Sequence, residues 1–292
     1  MKQLIIACLT FFLLLGCSSS DWQYLDQEPP GETPEIFAPG IISGKGRLHT
    51  YPAISPDGKQ ILWMILPPRT MEVYYQNDKW SEPHIFKPFS DRIYIRPGFD
   101  LKGNLYISSA QIPGGYGGLD IWLMNKTDDT IFTPINLGEP LNSDNIETGQ
   151  SFSRNGDMYF TSYVPEKRWN RGIVVSKFIN GKYTEPVPLP ETINTPDENT
   201  IDYLSYISPD GSYILFSSNR HDTSKESCSI YVCFKNRNKL WSKAINLSNY
   251  LGLNEDNRDP ALTTDGKYLF FSSGENIMWV KTSVIRKCKR NM

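Results

Sequence analysis

The chain has no charge excess of either sign. Lys and Arg together number 30 against 32 Asp and Glu, so there is no global basic field of the kind that binds nucleic acid. Histidine is scarce, with only His49, His84 and His221. A His-based metal centre or a Ser-His-Asp triad would need such residues brought together. No Cys-x-x-Cys, Gly-x-Ser-x-Gly or His-Glu-x-x-His occurs, which removes the usual zinc, hydrolase-elbow and zincin signals. No motif in the sequence calls for a metal or another cofactor. Apolar runs are short everywhere except Leu4–Leu15, and those 12 residues are too few to span a bilayer comfortably.

What is present is a repeat. Five segments each carry an apolar run, a polar turn and a second apolar run, most of them ending near Ser-Ser. They start at Tyr51, Arg96, Gly149, Leu204 and Asp259, with turn glycines Gly58, Gly103, Gly156, Gly211 and Gly266. Asp or Asn before Gly supplies the positive φ of a tight hairpin, and Pro presets φ at its entry. Copies two and three lack the Pro-Asp, so their hairpins are expected to differ in detail. A strand-turn-strand period of roughly 45–55 residues indicates propeller blades. The turn glycine separates strands A and B. Strand C follows from Met71, Asp120, Ile173, Ser229 and Ile277, and strand D from His84, Thr133, Glu185 and Ser242.

The fifth copy has no strand D, whereas the segment from Glu35 resembles a strand D without a blade. Ring closure resolves both, with the N-terminal strand completing the last blade and removing two exposed sheet edges. The expected fold is all-β, a five-bladed β-propeller; a six-bladed ring would need a further whole repeat.

The N-terminus reads as an export signal: a short positive start at Lys2, the apolar run to Leu15, then Gly16-Cys17-Ser18. Leu14-Leu15-Gly16-Cys17 resembles the bacterial lipobox, which implies cleavage before Cys17 and acylation of that residue. Several acyl chains hold a protein on a membrane far better than one. Ser18 after the cysteine resembles the pattern sent to the outer membrane. The expected organisation is a signal peptide over 1–16, the lipidated Cys17 and a flexible tether over 17–33, and a propeller domain over 34–292. The expected location is the bacterial cell envelope, lipid-anchored, at the outer membrane facing the periplasm or the cell surface. The basic run from Arg286 to Arg290 reads either as a solvated terminus or as a membrane-surface contact. Of the remaining cysteines, Cys228 and Cys233 point to opposite strand faces. Either could pair with Cys288, leaving one thiol free.

The five turns, the stretch from Gly114 to Trp122, and Asn136–Asn142 resemble WD40-like (TolB-type) propeller repeats of bacterial envelope lipoproteins, from about Glu35 to Lys281. That resemblance implies docking platforms in the periplasm. The peptidase or peptidoglycan-binding domains that accompany some relatives have no counterpart here.

Counting back from each turn glycine gives candidate site residues. Position minus four (Ile54, Phe99, Phe152, Ile207, Leu262) is always large and apolar, the face buried between blades. Alternation then sends the odd positions to the channel. Minus nine is His49, Tyr94, Glu147, Asp202 and Asn257, expected at the channel mouth. Minus seven includes Tyr51, Arg96 and Asp259, expected just inside. These residues read as a polar pocket for a small polar ligand, a glycan or a peptide end, or as hydrated loop residues tying blades together. Glu147, Asp202 and Asp259 could also serve as the acids of a glycosidase or bind calcium. The glycines of 114–118 lead into a strand rather than a helix, which excludes a phosphate cradle. Trp80, Phe132, Tyr183 and Trp241 recur at one place in the repeat and are expected to pack rather than to stack on sugar. The reading is a non-enzymatic binding or scaffold module for an envelope protein or glycan, with a carbohydrate-active enzyme as the alternative.

Overall fold

The computed structural model describes residues 23–87, 95–127, 132–164, 172–221, 227–254 and 256–290. Cys17 and Tyr94 lie outside these. The chain forms five antiparallel blades around a central channel. Blade 1 contains A (His49–Ile54), B (Gln60–Ile65), C (Arg69–Gln76) and D (His84–Ile85). The next three begin at Ile95, Ile146 and Asp202, and blade 5 contains A (Asn257–Leu262), B (Tyr268–Ser273) and C (Asn276–Lys281). Its fourth strand is Glu35–Ile36, with Glu35 opposite Trp279 and Ile36 opposite Met278. Ring closure by the N-terminal strand is therefore realised.

The turns work as the sequence implies. In blades 1, 4 and 5 a hydroxyl (Ser55, Ser208, Thr263) donates to the carboxylate two residues on (Asp57, Asp210, Asp265). The same oxygen accepts the N–H of the residue that opens strand B. Blade 3 substitutes Asn155 for the Asp. Blade 2 uses Asp100 alone, which accepts from the N–H groups of Lys102 and Asn104.

The core is a circle of inter-blade clusters rather than a centre. Each minus-four residue packs against the preceding blade: Ile54 with Phe270 and Trp279, Phe99 with Leu62, Phe152 with Tyr106, Ile207 with Tyr159, and Leu262 with Leu215. Full burial of such side chains contributes about 1.5–3 kcal/mol each. Trp80, Phe132, Tyr183 and Trp241 pack against four of these clusters.

One expectation needs correction, and one open question about the cysteines is answered. The folded body begins before Pro34. Tyr24 is buried against Tyr268, Phe270 and Trp279, and the Gln27 side chain bonds Ile36 and Ala38. An aromatic ring at Tyr24 gains more from the blade 5 cluster than from water, so the residues from Tyr24 onward belong to the folded body. Among the described residues no disulfide forms, and Cys228, Cys233 and Cys288 are buried in separate clusters. Burial pushes the Cys228 thiol up to about 11 and Cys233 up to about 12, which makes both poor nucleophiles.

Candidate functional site: the propeller channel

Every strand A carries the same irregularity. The residue at minus seven has positive φ: Tyr51 53°, Arg96 58°, Gly149 69°, Leu204 52° and Asp259 59°. The pairing register slips there in all five blades. This is a β-bulge, in which two residues of one strand oppose one of the next. Pro52, Pro97 and Pro260 follow it directly, and Pro inside a strand is tolerated at a bulge because it has no N–H to donate. Left-handed φ at a non-glycine residue costs on the order of 1–3 kcal/mol, so the surrounding ring must hold it in place.

The hydroxyls near the Ser-Ser ends of strand B supply that hold. Thr161 Oγ1 accepts from Leu204 N at 2.9 Å and Ser217 Oγ from Asp259 N at 3.1 Å. Ser108 Oγ donates to Gln150 Oε1 at 3.2 Å, and Ser272 Oγ donates to Asp259 at 2.7 Å and to Thr50 at 3.2 Å. Apart from the Ser272–Asp259 bond within blade 5, each links one blade to the next at the channel. In blade 1 the equivalent residue is Met64, and there the following minus-seven residue is Arg96. Its guanidinium lies 5.0 Å from the Tyr51 ring centroid, and it donates to the Tyr51 hydroxyl at 3.3 Å and to Thr148 at 2.9 Å.

The bulge also changes what faces the channel. A cavity of about 60 Å³ on the axis is lined by the minus-seven residues Tyr51, Arg96, Gly149, Leu204 and Asp259 and their immediate successors. Alternation beyond the bulge is reversed, and the minus-nine residues do not line this space. Glu147, Asp202 and Asn257 are each at most 1% exposed, and His49 is half-buried. Glu147 accepts from Ser143 N at 3.2 Å, Ser143 Oγ at 2.7 Å and Ser162 Oγ at 3.4 Å. Asp202 is paired with Arg220 at 2.6 Å and accepts from Thr195 N at 2.7 Å. Asn257 N donates to the Cys228 carbonyl at 2.8 Å. The expected ring of acids around a mouth is thus replaced by buried acids that fasten the connections between blades. Of Glu147, Asp202 and Asp259, only Asp259 reaches the cavity.

Electrostatics follow burial. Desolvation pushes the Glu147 carboxyl up to about 7 against the pull of Ser143. Asp202 is raised by burial against Arg220, and Asp259 by burial against Thr50 and Ser272. His49 is lowered by burial and by Arg47. Asp259 Oδ1, Arg96 Nε and Ser205 Oγ are buried without a hydrogen-bond partner among the described residues, and all three residues line the cavity. Sixty cubic ångströms suits one or two water-sized species, far below the roughly 300–1,000 Å³ of a ligand pocket. Among the described residues no three His, Cys, Asp or Glu side chains cluster as a metal site would require.

Close approach explains Gly115, Gly117 and Gly118, and a φ of +88° explains Gly114. A Cβ at Gly117 would lie 2.6 Å from the Asp144 carbonyl oxygen, and one at Gly118 2.5 Å from Ile146. The bulge reverses the alternation of side chains beyond it, and Pro52, Pro97 and Pro260 carry its signal in the sequence.

No protein-family model and no curated protein matches the chain. Solved structures similar to it include a thermostable family-43 glycoside hydrolase (13% identity, 82% of this chain and 90% of that one, TM-score 0.51). The catalytic domain of an α-L-arabinofuranosidase from Coprinopsis cinerea is also similar (10% identity, 86% and 97%, TM-score 0.54). So is an α-L-arabinofuranosidase from Podospora anserina in complex with cellotriose (10% identity, 86% and 96%, TM-score 0.52). At these identities the likeness is one of fold, and the fold is the five-bladed β-propeller.

Proposed function

We propose that the protein is a non-enzymatic binding or scaffold module, a lipid-anchored propeller of the bacterial envelope that presents its channel-mouth face to a protein or glycan partner. The lipobox-like Leu14–Cys17 and the likeness of the repeats to TolB-type propellers support the anchor and the setting. The observation that carries the non-enzymatic reading is the commitment of the acids: Glu147 and Asp202 are hydrogen-bonded to partners in the blade connections, and the axial space is too small for a sugar ring. The loops of that face expose Ile41, Leu48, Leu66, Tyr116 and Val164, apolar groups of the kind a partner covers.

The test has two arms. Crosslinking in intact envelopes with the acylated protein should capture one defined partner, and Leu66→Ser with Tyr116→Ala should abolish that capture. Persistence of the same crosslinks in the double variant would reject the face. The second arm addresses the enzyme alternative, which the fold likeness to arabinofuranosidases and the raised Glu147 favour. Turnover of any member of a glycan panel, lost in Glu147→Gln, Asp202→Asn or Asp259→Asn with the fold retained, would replace the scaffold reading.

A further inference from the structure

The two faces of the ring differ in chemistry. The face opposite the channel mouth carries the A–B turns and the C–D hairpins, and in blades 3–5 it is both basic and apolar. Lys177, Arg237 and Lys239 stand on C–D hairpins, Arg154 on an A–B turn, and Arg286 and Arg290 on the C-terminal helix (Ser283–Arg290). All are exposed, and none forms an ion pair among the described residues. The positive groups crowd: burial lowers Lys235, and Lys177 and Lys239 add to the effect against Asp157. Of the acids of this sector, Asp157, Asp210 and Asp265 are bonded at their turns and Glu32 to Ser283 and Lys287, while Asp26, Glu28 and Glu185 are exposed. Between the basic residues the hairpin tips project Leu240, 63% exposed, and Ile179, 51% exposed. Arg154, Arg286, Lys289 and Arg290 rim a cleft of about 500 Å³ between the helix and the turns of blades 4 and 5.

The chain enters the fold on this same face. Tyr24 packs on Tyr268, next to the blade 5 turn, and feels the charge of Asp265. The Gly31 carbonyl accepts from Lys281 N at 2.9 Å, and Glu32 is bonded to the C-terminal helix. Six peptide links separate Gln23 from Cys17, and six links reach at most about 20 Å. An acyl chain on Cys17 would hold this face within that reach of the bilayer. Basic residues mixed with projecting apolar tips are the composition that binds anionic lipid surfaces.

We propose that this face, formed by the C-terminal helix and the C–D hairpins of blades 3 and 4, docks on an anionic phospholipid surface, so that the channel-mouth face points away from the membrane. The proposal rests on the lipid-anchor reading, and its test separates the two. Protein produced from the full-length sequence is purified from membranes, and the mass of its N-terminal peptide reports acylation of Cys17. Amide hydrogen exchange is then followed on vesicles of phosphatidylcholine with phosphatidylglycerol and on pure phosphatidylcholine. Residues 177–183, 236–241 and 283–290 should exchange several-fold more slowly on the anionic vesicles. Salt should erase the difference, as should Arg237→Gln, Lys239→Gln, Arg286→Gln and Arg290→Gln combined. Leu240→Ser with Ile179→Ser, both at exposed tips, should weaken it without moving Tm. Equal exchange on the two vesicles, or slowing confined to 41–48 and 110–118, overturns the docking face while leaving the anchor standing. If Cys17 carries no acyl chain, the anchor reading fails by itself. Co-sedimentation of that unacylated chain with the same vesicles then decides the surface. Binding to the anionic vesicles alone, falling about fivefold per basic residue removed, sustains it, and no binding or binding unchanged in the variants overturns it.

Discussion

Glu147 sets a pH dependence at the scale of one residue. Its carboxyl is raised from 4.5 to about 7 in the folded protein, so between those values the folded state holds a proton that the unfolded state releases. Stability is therefore fully present below about 4.5 and is lost as pH rises to about 7, by an amount on the order of 2 kcal/mol after screening is allowed for. Asp202 and Asp259, also raised, contribute with the same sign. Urea midpoints measured across this range should fall with pH in the wild type, and Glu147→Gln should flatten the fall. Gly149 offers a second test, because a Cβ there would lie 3.1 Å from Leu204 at a φ of +69°. Gly149→Ala should cost about 1–3 kcal/mol in chemical denaturation with the blade count unchanged. The apolar minus-four column was legible because size and apolarity survive any local irregularity. The orientation of Glu147 was not, because one bulge reverses every side chain beyond it, and only the prolines at 52, 97 and 260 betray it.

Four of the blade connections are each fastened by one small polar side chain set beside a buried apolar one. Asn142 accepts from Ile121 N at 2.8 Å and donates to its carbonyl at 2.9 Å, and Asn194 does the same for Ile173 at the same distances. Ser248 accepts from Ile230 N at 2.9 Å, and Ser43 holds both groups of Ile277 at 3.0 and 3.2 Å. An amide or hydroxyl here takes the first N–H of strand C, while the carbonyls of Ile121, Ile173 and Ile277 also accept from Leu137, Leu189 and Phe37 N at the end of strand D. Asn194→Ala should cost about 1–3 kcal/mol, because the buried Ile173 N–H loses its partner while the Ile173 carbonyl keeps Leu189 N; Asn142→Ala should match it in urea denaturation. The pairs Leu141-Asn142, Ile193-Asn194, Leu247-Ser248 and Ile42-Ser43 are visible in the sequence only once the connections are aligned. The turns were read more easily, since a hairpin forces Gly or Asn into one position whereas a connection of variable length does not. The recurring Ser-Ser ends were also visible, but their service to the neighbouring blade is a non-local fact.

At the scale of the whole molecule, the ring is closed by strands from the two ends of the chain, and the copy that lacked a strand D announced this. Removing residues 23–43 should expose Trp279 and Phe270 and abolish cooperative unfolding, read as loss of a single calorimetric transition. A deletion that still melts as one sharp transition would contradict that dependence. The hydrogen bonds of Ser43 to Ile277 span 234 positions of sequence. At the usual pace of synthesis those residues take roughly 10–50 s to appear, and throughout that interval the N-terminal strand has no partner. Non-local closure is also intrinsically slow. A chain with this architecture stays open until its last strand has been made, so for an exported protein the same contact that seals the ring would act as a timer: it keeps the polypeptide threadable during passage across a membrane and lets it fold only on arrival.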